Sequence, residues 1–176
     1  MAYERISISR MSGALGVELG NIDLSQPHDP EQLNEVRDAL YEWGVIILRR
    51  QNITSEQYLA FARHFGDILP YPLVMGLPDY PDIVPVLKKE DERVNFGGIW
   101  HSDTTYLERP PMGSMLLAKE LPPQGGDTIW SNMIMAYETL SDGMKAMLDG
   151  MIAINSAKKG SAAATREDSR KDGGAK

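Results

Sequence analysis

Apolar positions in the first fifty residues predict two short strands, a helix and a third strand. Residues 6–9 and 16–24 alternate or are rich in β-forming side chains, which favours strands. Residues 29–44 carry one apolar stripe at helical spacing, preceded by an N-capping aspartate and followed by glycine. The stripe consists of Leu33, Val36, Leu40 and Trp43. The continuous apolar run at 45–48 predicts a strand buried on both faces.

Beyond residue 50 the pattern predicts helices and strands separated by a long loop. Residues 54–66 read as a second capped helix, and five prolines between 70 and 85 indicate a loop. Residues 113–121 and 128–132 have the composition of strands. Residues 132–152 predict two helical pieces broken near a serine–aspartate–glycine step, with methionines packed in the core.

Length and composition predict one folded domain followed by a tail. The chain has 176 residues, 42% of them hydrophobic and 24% charged, which is typical of a globular domain. We assign residues 1–156 to the N-terminal portion of such a domain. Residues 157–176 lack large apolar side chains, so we expect them to be flexible or disordered.

Charge and residue usage narrow the class of partner. The net charge is −7, and the last twenty residues carry six basic and three acidic side chains, so residues 1–156 carry about −10. This acidic balance argues against nucleic acid or an anionic membrane surface as the main partner. The chain has no cysteine, no apolar signal-peptide region, and no apolar run long enough to span a bilayer, so a cytoplasmic location is expected.

His101 and Asp103 form a candidate metal-binding pair in the stretch WHSDTTY. Residues two apart on a strand point to the same face, so an extended segment would direct the imidazole and the carboxylate into one space. These are two of the three ligands of the 2-His-1-carboxylate site that holds non-haem Fe(II). The alternative is a histidine that makes structural hydrogen bonds beside a turn aspartate.

The sequence around this pair resembles the taurine dioxygenase (TauD/TfdA) family of Fe(II)- and 2-oxoglutarate-dependent dioxygenases. The family pattern contains W-H-[ST]-D, a nearby aromatic residue, P-P, A-x-E-[LV]-P and G-G-D-T. The chain contains these elements in the same order, and the resemblance covers about residues 5 to 156. The matching segments are Trp100–Asp103, Tyr106, Pro110–Pro111, Ala118–Pro122 and Gly125–Thr128.

The resemblance implies a fold and a set of site residues. The implied fold is α+β: an incomplete double-stranded β-helix (a clavaminate synthase-like jelly roll) with N-terminal helices packed on the sheet. His101 and Asp103 match the metal ligands, and Thr128 matches a threonine that hydrogen-bonds a carboxylate of 2-oxoglutarate. Tyr71 and Asn95 match substrate-contacting positions. Trp100 is expected to pack behind the metal.

The resemblance also implies an activity, cofactors and a class of substrate. Such an enzyme uses Fe(II), 2-oxoglutarate and O₂, and decarboxylates 2-oxoglutarate to succinate while oxidising a small organic substrate. Substrates in the family are often anions such as sulfonates, sulfate esters or aryloxyalkanoates. A homo-oligomer is compatible with the sequence.

The match to the family is incomplete in one respect. The family requires a second histidine downstream and an arginine about ten residues beyond it, which forms a bidentate pair with 2-oxoglutarate. No histidine follows His101, and the later arginines are Arg109, Arg166 and Arg170. We therefore expect a fragment or truncated form. The alternatives are an inactive remnant that serves as an interaction module, and a different metal-dependent jelly-roll enzyme that uses the same pair.

Overall fold

A computed structural model describes residues 3–71, 74–92 and 96–156. These residues fall into two compact units. The first contains the described residues within 1–65 and 116–152, and the second those within 66–115 and 153–176. The predicted tail at 157–176 and the candidate residue Asn95 lie outside the described residues. The assignment of residues 1–156 to one domain stays a prediction.

A three-stranded sheet forms the centre of the first unit. Strand β1 spans Ser7–Arg10, β2 spans Val17–Gly20 and β3 spans Ile46–Leu48, in the order β1-β2-β3. β1 pairs antiparallel with β2, whereas β2 pairs parallel with β3. All three strands lie where the apolar pattern predicts them. β3 is only half-buried, however, so the expected burial on both faces is wrong: within the part of the chain that the structure describes, it pairs only with β2, at the end of the sheet.

Helix α1, Pro30–Trp43, makes the parallel connection from β2 to β3 and packs against both strands. The Asp29 side chain caps its first turn by accepting a hydrogen bond from the backbone N–H of Glu31. Gly44 ends it with φ 68°, a left-handed conformation that suits glycine. The buried face consists of Leu33, Val36 and Ala39. The prediction that an N-terminal helix packs on the sheet is therefore confirmed for α1.

Helix α2 spans Ser55–Arg63 and begins with a complete capping box. The Thr54 hydroxyl accepts from the backbone N–H of Gln57, and the Gln57 side chain accepts from the backbone N–H of Thr54. Two N–H groups that the first helical turn leaves without partners are thereby satisfied. The helix buries Leu59 and Phe61. The apolar spacing predicts an inner face of Tyr58, Phe61, Ala62 and Phe65, of which only Phe61 is fully buried.

Two short helices, α3 (Met133–Glu138) and α4 (Asp142–Leu148), follow at the end of the first unit. The predicted break is confirmed: Ser141 caps α4 by accepting from the backbone N–H of Met144. The predicted burial of the methionines is wrong, since neither helix contains a buried residue. Met133 and Met147, for example, are more than half exposed.

The strands predicted at 113–121 and 128–132 do not form among the described residues. A strand is stable only where its backbone groups pair with a neighbouring strand, and composition alone does not provide one. Apolar side chains in both segments stay exposed: Leu116, Leu121 and Ile129 are each 70% exposed.

The second unit consists largely of turns, as its prolines predict. Three backbone hydrogen bonds fold residues 77–83 into a tight loop: the N–H of Tyr80 donates to the carbonyl of Leu77, that of Ile83 to Tyr80, and that of Leu77 to Ile83. Gly76 lies so close to the backbone of Pro81 that a Cβ at this position would overlap it. Across the described residues, none of the helices combines the length and the apolar character needed to cross a bilayer.

Candidate metal site

The imidazole of His101 and the carboxylate of Asp103 converge in the second unit. Nε2 of His101 lies 3.1 Å from Oδ1 of Asp103. The two side chains remain 42% and 55% exposed, so both groups are accessible to a solute. The prediction that the pair shares one space is thus matched by its geometry.

A backbone carbonyl fixes the tautomer of His101. Nδ1 of the ring lies 2.6 Å from the carbonyl oxygen of Ile99. A carbonyl can only accept a hydrogen bond, so Nδ1 must carry a proton and donate it. In the neutral ring, Nε2 is then the nitrogen with the free lone pair, which is the arrangement that metal-binding histidines adopt.

This tautomer places two electron-pair acceptors against each other. Nε2 of neutral His101 and Oδ1 of Asp103 repel at 3.1 Å unless a positive charge lies between them. Either a proton on Nε2, giving an exposed ion pair, or a metal cation meets that requirement. An exposed ion pair contributes about 0–1 kcal/mol, so the pair itself adds little to stability.

The backbone that carries the pair is a turn rather than the predicted strand. Residues 103–106 form a turn, and the N–H of Leu107 donates to the carbonyl of Thr104 at 3.0 Å. Thr104 has φ 50°, which is unfavourable for a β-branched residue. No neighbouring strand pairs with this segment among the described residues, so the expectation of a strand is wrong although both side chains still meet.

Two further residues contact the pair, and the sequence pattern identified neither. The Ser114 hydroxyl donates to Oδ2 of Asp103 at 2.6 Å. Gly97 lies against the imidazole: a Cβ there would be 3.2 Å from Cε1 of His101, and its φ of 71° also suits glycine. The serine is eleven positions from the aspartate, and no local pattern links them.

Tyr71 lies in the electrostatic environment of the same pair. Burial, followed by the charge of Tyr106, a hydrogen bond with Tyr106 and the charge of Asp103, raises the pKa of Tyr71 to about 12. A tyrosine hydroxyl is protonated at neutral pH even at its ordinary pKa, so it can donate a hydrogen bond with or without this shift. Its role in substrate binding stays a prediction.

The two remaining candidates are Thr128 and Trp100, and their positions are less informative than those of the pair. Thr128 belongs to the first unit and is exposed, in an irregular segment, so its role in binding 2-oxoglutarate also stays a prediction. Trp100 is 68% exposed, so the expectation that it packs behind the metal is wrong. In an irregular backbone segment, the side chains of adjacent residues can point in different directions, so the position of His101 does not fix that of Trp100.

His101 and Asp103 carry the types of ligand that a divalent transition metal prefers, but the described residues offer fewer ligands than such an ion needs. Imidazole nitrogen and carboxylate oxygen are ligands of Fe(II) and Mn(II). Among residues 3–71, 74–92 and 96–156, no group of three histidine, aspartate or glutamate side chains is placed to hold a metal. His101 and Asp103 therefore offer two of the donor groups that such an ion requires, and their role as ligands stays a prediction.

Relatives with assigned activities match most of this chain. It is 29% identical over 154 residues to an alkylsulfatase of Acinetobacter baylyi, covering 87% of this chain and 48% of the relative. It is 30% identical over 156 residues to an alpha-ketoglutarate-dependent 2,4-dichlorophenoxyacetate dioxygenase of Cupriavidus pinatubonensis, covering 80% and 54%. The chain thus spans about half the length of these relatives.

The fold is similar to that of a solved enzyme. A taurine dioxygenase from Burkholderia xenovorans superposes with a TM-score of 0.67 at 32% identity, covering 84% of this chain and 52% of that one. Residues 7–175 also match the family model described as "Taurine catabolism dioxygenase TauD, TfdA family". The match spans nearly the whole chain and includes the segment that carries the His101–Asp103 pair, so the chain belongs to the TauD/TfdA family of dioxygenases.

Proposed function

We propose that this chain contributes two protein ligands to the Fe(II) site of a 2-oxoglutarate-dependent dioxygenase. The observation that carries the proposal is the 3.1 Å approach of Nε2 of His101 to Oδ1 of Asp103, with Nδ1 already committed to the carbonyl of Ile99. That arrangement presents one imidazole lone pair and one carboxylate oxygen to a shared cation. Membership of a dioxygenase family supports the identity of the cation as iron.

Each site residue has a distinct task in this proposal. His101 and Asp103 hold the metal, Thr128 donates its hydroxyl to a carboxylate of 2-oxoglutarate, and Tyr71 and Asn95 contact the substrate. The metal, with 2-oxoglutarate and O₂, supplies the oxidising chemistry and leaves succinate. The Tyr71 hydroxyl is protonated at neutral pH and can donate a hydrogen bond, which suits contact with an anion.

The proposed substrate is a small organic anion. The related proteins are named for alkyl sulfates, 2,4-dichlorophenoxyacetate and taurine, all of which present a sulfate, carboxylate or sulfonate group. We further propose that the three-stranded sheet belongs to a jelly roll of the family type. Both proposals concern the whole protein, since the chain spans about half of its relatives.

The experiment adds Fe(II) and 2-oxoglutarate to the 176-residue chain without oxygen and records the metal-to-ligand absorption band. Succinate is then measured after air is admitted. The proposal expects a band that is lost in His101→Ala and in Asp103→Ala. A band of unchanged intensity in both variants would show that the metal binds elsewhere and overturn the ligand assignment.

One observation favours a second candidate, a non-catalytic interaction module. The described residues provide only two clustered ligands, and the apolar side chains of Ile152 and Ile154 are 90% and 92% exposed. Large exposed apolar side chains are typical of surfaces that another protein segment covers. A folded chain that forms neither the band nor succinate would show that these 176 residues alone are inactive.

A further inference from the structure

We propose that Ser114 is a positioning residue that determines which oxygen of Asp103 faces the metal. The inference rests on the proposed function, because it concerns the same metal site. Its basis is the hydrogen bond from the Ser114 hydroxyl to Oδ2, on the opposite side of the carboxylate from the 3.1 Å approach of Oδ1 to His101.

An aspartate carboxylate at this exposed position has no intrinsic preference for one orientation. The torsion that rotates it is broad and roughly two-fold, so either oxygen can face the histidine. The Asp103 side chain is 55% exposed, so packing restricts it little. A directional hydrogen bond to one oxygen is therefore the interaction that can select a single orientation.

The bond from Ser114 has the character needed for this role. At 2.6 Å it is as short as charge-assisted O–H···O⁻ bonds are, and such bonds are about twice as strong as neutral ones. It occupies Oδ2 and leaves Oδ1 as the oxygen that faces Nε2 of His101. Asp103 then binds the cation through one oxygen, with the other held by the hydroxyl.

The histidine is held in a corresponding way. Nδ1 donates to the carbonyl of Ile99, so each member of the pair has one atom fixed by a protein partner and one atom directed at the shared space. Removing such outer hydrogen bonds from metal ligands typically costs about 10- to 100-fold in metal affinity or activity. We expect loss of the Ser114 hydroxyl to lower the metal affinity by a factor in that range.

The test measures Mn(II) binding to the 176-residue chain by electron paramagnetic resonance, in which the signal of free aquo-Mn(II) disappears on binding. Ser114→Ala should raise the Kd for Mn(II) by about tenfold. Ser114→Thr, which keeps the hydroxyl, should have a Kd close to that of the wild type. Ser131→Ala makes the same chemical change at an exposed serine of the other unit and should leave the Kd unchanged. Circular dichroism checks that every variant is folded.

The outcomes separate this inference from the proposed function. If Asp103→Ala abolishes Mn(II) binding while Ser114→Ala binds like the wild type, the ligand pair stands and the role of Ser114 is refuted. If Ser114→Thr binds as weakly as Ser114→Ala, the hydroxyl is not the group that matters and the inference is likewise refuted. If the wild-type chain binds no Mn(II), or Asp103→Ala binds it equally well, the proposed metal site itself fails.

Discussion

Nε2 of His101 and Oδ1 of Asp103 lie 3.1 Å apart across a single intervening residue, Ser102. Because the short distance between the two side chains depends on that spacing, exchanging residues 102 and 103 should abolish their contact. The double variant Ser102→Asp/Asp103→Ser keeps the composition and net charge but moves the carboxylate. We expect it to lose Mn(II) binding in the resonance titration described above; binding of wild-type strength would mean that charge alone, rather than geometry, attracts the metal.

Gly76 and Gly113, both in the second unit, differ in the space available for a side chain, so replacing each by alanine tests the steric effect alone. In Gly76→Ala the new Cβ would overlap the backbone of Pro81, whereas Gly113→Ala meets nothing within 4 Å and Gly113 does not have positive φ. Overlap with backbone cannot be relieved by a side-chain rotation, so Gly76→Ala should destabilise by about 1–3 kcal/mol. Gly113→Ala should change the free energy of unfolding by less than about 1 kcal/mol. Urea denaturation measures both, and equal stabilities would contradict the close approach.

The capping box of α2 should contribute measurably to the first unit. Thr54→Ala removes the hydroxyl that accepts from the N–H of Gln57, and a cost of about 1 kcal/mol is expected. Gln57→Ala removes the reciprocal bond. Because the two bonds hold one turn, the double variant should lose less than the sum of the single losses. Strict additivity in denaturant midpoints would indicate that the two bonds act independently.

Glu35 links the N-terminal segment to α1, and this link should depend on pH. Burial raises the pKa of Glu35, but hydrogen bonds from the backbone N–H groups of Glu4, Arg5 and Ile6 outweigh it, so the pKa lies below its ordinary value of 4.5. A lowered folded-state pKa stabilises above pH 4.5, and the contribution is lost as the pH falls through the folded value.

The measurement compares the wild type with Glu35→Gln in denaturant at pH 7 and at pH 3. The wild type should lose more stability than the variant over this interval, since the variant lacks the titrating group. Other carboxyl groups, including those of Asp23 and Asp29, also have lowered pKa values, so both proteins should weaken somewhat. Identical pH dependence would show that Glu35 does not carry the linkage.

Thr104 buries a hydroxyl next to Asp103, one of the two proposed metal ligands. Its side chain is 9% exposed, and Oγ1 has no hydrogen-bond partner among residues 3–71, 74–92 and 96–156. Replacing it by valine keeps the branched shape and the backbone strain but removes a polar atom whose burial without a partner costs about 1–3 kcal/mol. Thr104→Val should therefore be as stable as the wild type or more stable. A marked loss in thermal midpoint would mean that the hydroxyl is satisfied.

Helices were the elements that the sequence predicted best. The N-cap of α1, the left-handed Gly44 and the capping box at Thr54 and Gln57 all depend on contacts within four residues, which a linear pattern contains. The strands β1 to β3 were located correctly, but the half-exposed state of β3 depends on which strands flank it. The position of a strand within the sheet depends on the tertiary structure, which the local pattern does not contain. The apolar run at 45–48 therefore predicted more burial than β3 has.

For the site, the sequence by itself determined the pair and the family. His101 and Asp103 stand two apart, and the surrounding motifs of the TauD/TfdA family, rather than that spacing alone, predict that they act together. Only the tertiary structure decided that a turn carries them, that Ile99 fixes the imidazole, and that Ser114 holds the carboxylate. Hydrogen-bond partners are chosen by distance in space, and the chain reversal that brings Ser114 back to Asp103 leaves no periodic trace along the sequence.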